Sequence, residues 1–154
     1  MGILEDKKRA RIFYKYLSKI YDKINPFFWT ISMRESAIDL FDINPTDKIL
    51  DVGCGTGFGT EGLLERATNV YGIDQSVHQL NKAREKFSTP SSIPLYIGDA
   101  ENLPFFDDAF DAVWSSGSIE YWPNPIAALS EIRRIVNPSG KVLLVGPKKP
   151  KGLF

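Results

Sequence analysis

The sequence predicts an α/β fold in which helices cover a doubly wound, mostly parallel sheet. From about residue 46 onward, short apolar segments alternate with segments of helical periodicity, which is typical of βαβ units. A glycine-rich turn follows the first strand segment, and carboxylates follow the next two. Since such sheets bind ligands at the carboxyl ends of their strands, we expect the functional site at this edge.

Length and composition limit the class of protein. The chain has 154 residues, 43% hydrophobic and 25% charged, which suits one globular domain. Its 19 Lys and Arg residues balance 19 Asp and Glu residues, so net charge does not favour nucleic-acid binding. The single cysteine excludes an internal disulfide and suits a reducing compartment. Because we find no apolar run of membrane-spanning length and no export signal, we expect a cytoplasmic protein.

Residues 1–45 are expected to form a helical lid segment, and residues 46–154 the sheet domain. Apolar residues recur at steps of three and four within Phe13–Ile24, and Asn25-Pro26 breaks this pattern. A second helix is predicted from about residue 27 to 41. The first helix has a basic excess that is most often a solvated face. Peripheral contact with a membrane surface is the alternative.

Five strands are predicted in the sheet domain, each a short apolar run bounded by turn residues. They are KILDVG (Lys48–Gly53), NVYGID (Asn69–Asp74), PLYIGDA (Pro94–Ala100), FDAVWSS (Phe110–Ser116) and GKVLLVGP (Gly140–Pro147). Helices are predicted after the first, second and fourth strands. The first of these helices ends near Ala67, the second runs from about Ser76 to Phe87, and the third runs from about Pro125 to Val136. Right-handed crossovers make such a sheet doubly wound.

The turn after the first strand, Asp51–Gly57, is rich in glycine. Glycines allow positive φ and close approach of a ligand, and the turn opens a helix whose free N–H groups can bind polar atoms. Asp74 ends the second strand and can accept both hydroxyls of a ribose. Asp99 follows the third and can accept from an exocyclic amine such as that of adenine. Together these groups predict a ligand that contains adenosine.

A dinucleotide is the obvious rival, because a G-x-G-x-x-G pattern occurs at Gly57–Gly62. The pattern starts inside the predicted helix, whereas the fingerprint belongs at the strand-to-helix turn. Asp51 also stands before the glycines, where a phosphate-binding turn would not accept a negative charge. A ligand with a cationic centre and no phosphate fits better, and S-adenosylmethionine (SAM) is such a ligand.

Several motifs resemble those of class I SAM-dependent methyltransferases, in that family's order and spacing. They are LDVGCGTG, the acid of GIDQS, GDAENLPFFDDAFDAV and EIRRIVNPSGKVLLV. Within the family, the chain is similar to the quinone-biosynthesis C-methyltransferases, in particular to those that methylate 2-methyl-6-phytylbenzoquinol-type substrates. The segments FYKYLSKIYDKINPFFWT, DQSVHQL and GSIEYWPNP carry this closer similarity. The resemblance implies a Rossmann-like core, SAM as cofactor with S-adenosylhomocysteine as product, and a prenylated benzoquinol ring carbon as acceptor.

The resemblance also implies cofactor contacts for residues at the strand ends. These residues are Asp51, Gly53, Cys54, Gly55, Gly57, Asp74, Gln75, Gln79, Asp99, Ala100, Ser116 and Gly117. The glycine turn would hold the methionine and sugar part of SAM, and the residues that follow the fourth strand would line the methionine end. Asp74 would hold the ribose, Asp99 the adenine amine, and Gln75 and Gln79 would flank the adenine. No metal ligand is implied.

The stretch SSGSIEYWPNP after the fourth strand supplies the candidate catalytic residues. Removing a phenolic proton makes a quinol ring more electron-rich, so a positioned base or hydrogen-bond acceptor would help. We predict Glu120 first and Tyr121 second in this role, and Tyr21 of the N-terminal segment third. Aromatic residues after a strand serve equally often in packing.

Several alternatives stay open. The chain can be another small-molecule methyltransferase, a non-catalytic SAM-binding or scaffolding module, or, more remotely, a dinucleotide oxidoreductase. The glycines can form an ordinary tight turn, while Asp74 can cap a helix and Asp99 a loop. His78 is read as a surface or packing residue, and Cys54 as a small turn residue. The family normally continues past the fifth strand with a helix and a strand pair. Only eight residues follow Gly146 in this sequence, so we expect the core to lack the C-terminal strand pair and to expose an edge that can pair with a second copy.

Overall fold

A computed structural model of the chain describes residues 30–88 and 93–146. Within these ranges, five strands form one sheet, and every neighbouring pair is parallel. In the spatial order β3-β2-β1-β4-β5, the strands are β1 (Lys48–Val52), β2 (Asn69–Asp74), β3 (Leu95–Ile97), β4 (Phe110–Ser116) and β5 (Val136–Val145). The helices are α1 (Ile31–Phe41), α2 (Phe58–Leu64), α3 (Val77–Lys86) and α4 (Pro125–Ile135), and a 3-10 turn covers Ile119–Tyr121. The predicted α/β fold with a parallel sheet is confirmed.

Apolar side chains alternate along the strands and form one buried cluster on each face of the sheet. On one face, Ile49 of β1 and Trp114 of β4 pack with Leu63 of α2 and with residues of α1. On the other face, Leu50 of β1 packs in a cluster that includes Ile132 of α4. Because successive strand residues point to opposite faces, the neighbours Ile49 and Leu50 belong to different clusters. Helices on both faces give the doubly wound arrangement.

Three of the helices begin at a residue whose side chain caps the first turn. Thr30 Oγ1 accepts from the Met33 N–H at 3.2 Å, Ser76 Oγ from the Gln79 N–H at 3.3 Å, and Asn124 Oδ1 from the Ala127 N–H at 3.1 Å. Each bond satisfies an N–H group that has no partner within its own helix. The starts of α1, α3 and α4 are therefore fixed by residues next to them in the sequence.

Some element boundaries differ from those expected. The fifth strand begins at Val136, not Gly140, because Val136 already pairs with Phe110 before the register shifts between Phe110 and Ala112. The third strand stops at Ile97, and the chain turns at Asp99, whose Oδ1 accepts from the Glu101 N–H at 3.0 Å. The helix expected from residue 27 is described from Ile31. Residues 27–29, the first predicted helix and the candidate Tyr21 lie outside the described residues.

Arg34 joins α1 to α2 from a buried position. Only 3% of the residue is exposed. Its Nη1 donates to the Phe58 carbonyl at 3.0 Å and to Glu61 Oε2 at 3.0 Å, and its Nε donates to Glu35 Oε1 at 2.8 Å. Because Phe58 is the first residue of α2, Arg34 fixes the end of the glycine turn relative to α1.

The division of the chain into a lid segment and a sheet domain at residue 45 stays a prediction.

Candidate functional site

A cleft opens at the carboxyl ends of the strands, where the strand order reverses between β1 and β4. Its empty volume, including the open mouth, is about 610 Å³. The sequence-predicted residues that line it are Gly53, Asp74, Gln75, Gln79, Asp99, Ala100, Gly117 and Tyr121. The structure therefore brings together groups from the ends of four strands, as the fold class predicts.

The glycine turn ties the end of β1 to the end of β2. The N–H groups of Gly53 and Cys54 both donate to the Ile73 carbonyl, at 2.8 and 3.1 Å. Gly53 has a φ of +74°, and a Cβ added there would lie 2.6 Å from the Cβ of Ser118. Only glycine fits a position that combines left-handed backbone with such close approach. The floor of the cleft is thus bare backbone at this point.

Asp74 presents a carboxylate that backbone groups hold in place. Its Oδ2 accepts from the Gly55 N–H at 2.9 Å, and its Oδ1 accepts from the Ser76 N–H at 2.8 Å. Burial raises the pKa of this carboxyl, and the two N–H groups oppose that shift. An ionised carboxylate has about four acceptor positions, so each oxygen keeps capacity for a ligand hydroxyl. The N-cap of α3 is Ser76 rather than Asp74.

Asp99 combines a loop-capping role with a place at the cleft. One carboxylate oxygen accepts from the Glu101 N–H, and the residue lines the cleft together with Ala100. The loop-capping role is therefore observed, and contact with the adenine amine stays a prediction.

Asp51 does not line the cleft. It alternates with the cleft-lining Val52, so its side chain points to the opposite face and lies under α2, with only 1% of the residue exposed. Thr60 Oγ1 donates to its Oδ2 at 2.7 Å. Burial raises the pKa of Asp51 to about 7; the charge of Asp74 adds to this shift, while the Thr60 bond opposes it. Its role as a cofactor ligand stays a prediction.

Ser116 lies on the same side of the sheet as Asp51, and it does not line the cleft either. Its Oγ accepts from Trp114 Nε1 at 3.3 Å. A Cβ on Gly59 would lie 3.2 Å from Asp51 Oδ2 and 3.3 Å from Ser116 Oγ, so both oxygens converge behind the start of α2. Gly117, the next residue, reaches the cleft.

Three other predicted residues of the turn are not among those that line the cleft. Cys54 is 6% exposed, and its Sγ would lie 2.9 Å from a Cβ on Gly72, which directs the thiol into β2. Burial raises the pKa of this thiol, so it stays neutral. Gly55 and Gly57 shape the turn, the first by holding Asp74 and the second as the N-cap of α2. Their contacts with a cofactor stay predictions.

The two described catalytic candidates face different surroundings. Tyr121 lines the cleft, and burial followed by the charge of Glu120 raises the pKa of its hydroxyl. Glu120 does not line the cleft, and its Oε2 would lie 3.9 Å from a Cβ on Gly146, beyond the end of β5. Partial burial raises the pKa of Glu120 as well. Of the two residues, Tyr121 is thus the one placed to contact a ligand in the cleft.

Sequence reasoning missed Ser118, which lines the cleft and is 8% exposed. Its Oγ hydrogen-bonds to Ser115 Oγ, and Ser115 Oγ also donates to the Val52 carbonyl at 2.7 Å. This hydroxyl pair joins the end of β4 to the end of β1 behind Gly53. The serine-rich run SSGS was the available signal, but its spacing does not say which hydroxyl turns inward.

Comparison with known proteins points to one family. The family model described as "Methyltransferase domain" matches residues 50–144. A chloroplastic 2-methyl-6-phytyl-1,4-hydroquinone methyltransferase of Arabidopsis thaliana is 44% identical over 151 residues, covering 96% of this chain and 44% of that protein. A demethylmenaquinone methyltransferase of Staphylococcus epidermidis is 30% identical over 150 residues, covering 94% of this chain and 62% of that protein.

Solved structures share the fold. A putative S-adenosyl-L-methionine-dependent methyltransferase from Methanococcus maripaludis superimposes with a TM-score of 0.68 at 26% identity, covering 92% of this chain and 64% of that one. The chain spans less than half the length of the plant relatives that it matches.

Proposed function

This chain belongs to the Methyltransferase domain family, and from this premise we propose that it transfers a methyl group from SAM to a ring carbon of a prenylated benzoquinol. The names of two groups of relatives, one from plants and one from bacteria, describe methyl transfer to a quinol or quinone of this kind. Their similarity extends over nearly the whole of this chain. We therefore infer the substrate class from relatives that are similar to this chain over nearly its whole length.

The geometry that carries the proposal is the carboxylate of Asp74 beside the bare backbone of the glycine turn. Two backbone N–H groups orient Asp74, and its remaining acceptor positions suit the two hydroxyls of a ribose. Asp99 lines the same cleft and suits the exocyclic amine of adenine. The chain thus offers acceptors for the hydroxyls and the amine of adenosine, and Gly53 leaves room beside them for the rest of the ligand.

Bound SAM would supply an electrophilic methyl group on a sulfonium centre. The protein would contribute mainly by holding the acceptor ring at near-attack distance from that methyl group. Tyr121 lines the cleft, and its hydroxyl, whose ordinary pKa of 10 is raised further by burial, is protonated near neutral pH, so it can orient a quinol by hydrogen bonding. Glu120 stays a candidate base, although it lies outside the cleft lining.

Ligand binding and turnover test the proposal. We expect calorimetry to show binding of SAM and S-adenosylhomocysteine, but not NAD, and a prenylated quinol to turn over. Because only Tyr121 of the two lines the cleft, Tyr121→Phe should lower kcat/KM about tenfold or more, and Glu120→Gln less. A folded sample that binds neither adenosyl ligand would refute the proposal. Binding without turnover on a panel of quinols and phenols would favour a non-catalytic SAM-binding module.

We further propose that the basic N-terminal segment contacts a membrane surface, where a prenylated substrate would reside, and that the protein works on the cytoplasmic side. None of the described helices is long and apolar enough to span a bilayer. Retention on anionic vesicles that is lost at high salt would support this contact.

β5 is an edge strand of the described sheet, and we propose that it pairs with a second copy. A monomer in sedimentation at working concentrations would exclude that pairing.

A further inference from the structure

Gln79 of α3 is a buried polar side chain that lines the cleft and has no hydrogen-bond partner among the described residues. The residue is 4% exposed. Its backbone N–H donates to Ser76 Oγ, but its side-chain amide makes no hydrogen bond with any group in residues 30–88 and 93–146. Burying an amide without a partner is costly, and buried polar groups in native proteins are nearly always paired. The missing partner is therefore expected in the cleft.

The surroundings of the amide identify the part of the ligand that it faces. A Cβ added to Gly55 would lie 2.5 Å from Gln79 Oε1, so the amide occupies the space that a side chain at position 55 would take. Gly55 is also the residue whose N–H holds Asp74 Oδ2. The amide of Gln79 thus lies beside Gly55, the residue whose N–H orients the Asp74 carboxylate.

The chemistry of a diol explains why a donor is needed at this point. An ionised carboxylate only accepts hydrogen bonds, so a vicinal diol bound to Asp74 uses both of its O–H groups as donors to the carboxylate. Each hydroxyl oxygen then keeps lone pairs that need a donor. An amide carries two N–H donors, and Gln79 has both of them uncommitted within the described residues.

We propose that Gln79 donates a hydrogen bond to a ribose hydroxyl that Asp74 holds, so that the two residues recognise the vicinal diol of an adenosyl ligand. The inference rests on the proposed SAM site and changes the role expected for Gln79, from flanking the adenine to hydrogen bonding with the sugar. Glycine at position 55 is then required for the space that the amide fills, while its N–H orients Asp74.

Calorimetry tests the contact in solution, with S-adenosylhomocysteine and its 2′-deoxy and 3′-deoxy forms as ligands. Gln79→Met keeps length and volume but removes the amide, and should weaken binding of the parent ligand roughly five- to tenfold. It should change the affinity for one deoxy form much less, because that form lacks the hydroxyl in question. Equal affinity of both proteins for the parent ligand would overturn the Gln79 inference alone. Failure of the wild type to bind any adenosyl ligand would overturn the proposed function with it.

Stability of the ligand-free protein gives an independent readout. Since the amide is buried without a partner in the described part of the chain, Gln79→Met should raise the Tm by about 2–4 °C. Gln75→Met is the matched control, because solvent partly reaches Gln75 and its amide can bond to water, so no rise is expected. Gln79→Leu guards against a poor fit of methionine. A lower Tm for both Gln79 variants would mean that the amide already has a partner in the free protein, and would overturn the inference.

Discussion

Replacing Asp51 with asparagine should remove a large part of the pH dependence of stability. The carboxyl of Asp51 has a pKa of about 7 in the folded protein, against an ordinary value of 3.8, because it is buried beneath α2. Between these two values the native state holds a proton that the unfolded state has released. The free energy of unfolding must therefore fall as pH rises through this range.

The size of the effect follows from the shift. About three pKa units correspond to about 4 kcal/mol, reached at a slope near 1.4 kcal/mol per pH unit. The amide that replaces the carboxyl in Asp51→Asn keeps an oxygen that can accept from Thr60, so the local hydrogen bond survives the substitution. The two proteins should have similar stability near pH 4, and Asp51→Asn should be more stable by about 4 kcal/mol above pH 7.

Urea unfolding of both ligand-free proteins at half-unit steps from pH 4 to 8 measures this difference. Glu131→Gln provides a control, because its pH dependence has the opposite sign and lies below this range, so its profile should run parallel to that of the wild type from pH 5 to 8. The Arg134 guanidinium lowers the pKa of Glu131, so its contribution is present above pH 4.5 and is lost as pH falls below that value. Parallel pH profiles for wild type and Asp51→Asn would refute the burial argument for Asp51.

Two further substitutions test the packing around the site. Gly53→Ala should lower the free energy of unfolding by about 2 kcal/mol or more and abolish cofactor binding, because φ is +74° and the Ser118 Cβ would lie 2.6 Å from the added methyl group. Gly146→Ala is the control: its added Cβ would have its nearest atom at 3.4 Å, so denaturant unfolding should show a change within about 0.5 kcal/mol. Equal losses for the two alanines would contradict this. Arg34→Met should cost about 2 kcal/mol, since it leaves acids beside a buried site, and Arg66→Met should cost less, because that side chain is 37% exposed and its ion pairs are screened by solvent. A smaller loss at Arg34 than at Arg66 would disprove the ranking.

The sequence was sufficient to predict which segments reach the functional edge of the sheet. Strand ends, glycine turn and carboxylates all follow from short-range patterns, and Asp74 and Asp99 line the cleft as expected. Asp51 and Ser116 point to the opposite face of the sheet, and their contacts with a cofactor stay predictions. Strict alternation along β1 and β4 carried that information, because Ile49 and Trp114 mark the face toward α1 and α2.

Other features depend on contacts that are distant in the sequence. Strand β5 starts at Val136 because Phe110 offers a pairing partner, and the run Asn137-Pro138-Ser139 does not by itself distinguish a strand from a turn. Ser118 reaches the cleft because Gly53, far away in the sequence, has no side chain to exclude it. Such outcomes are decided by tertiary packing and lie beyond local propensity.

The central place of β1 has a consequence for how the chain is made. Its partner across the switch point is β4, and Leu50 pairs with Val113, which is synthesised 63 residues later. At about 5–20 residues per second, a ribosome takes roughly 3 to 13 s to deliver that partner. During this interval the edge of β1 that will pair with β4 has no partner and is open to wrong ones. Slow codons between positions 53 and 110, or a shortage of chaperones while this segment is synthesised, should therefore lower the yield of folded protein without any change in its final stability.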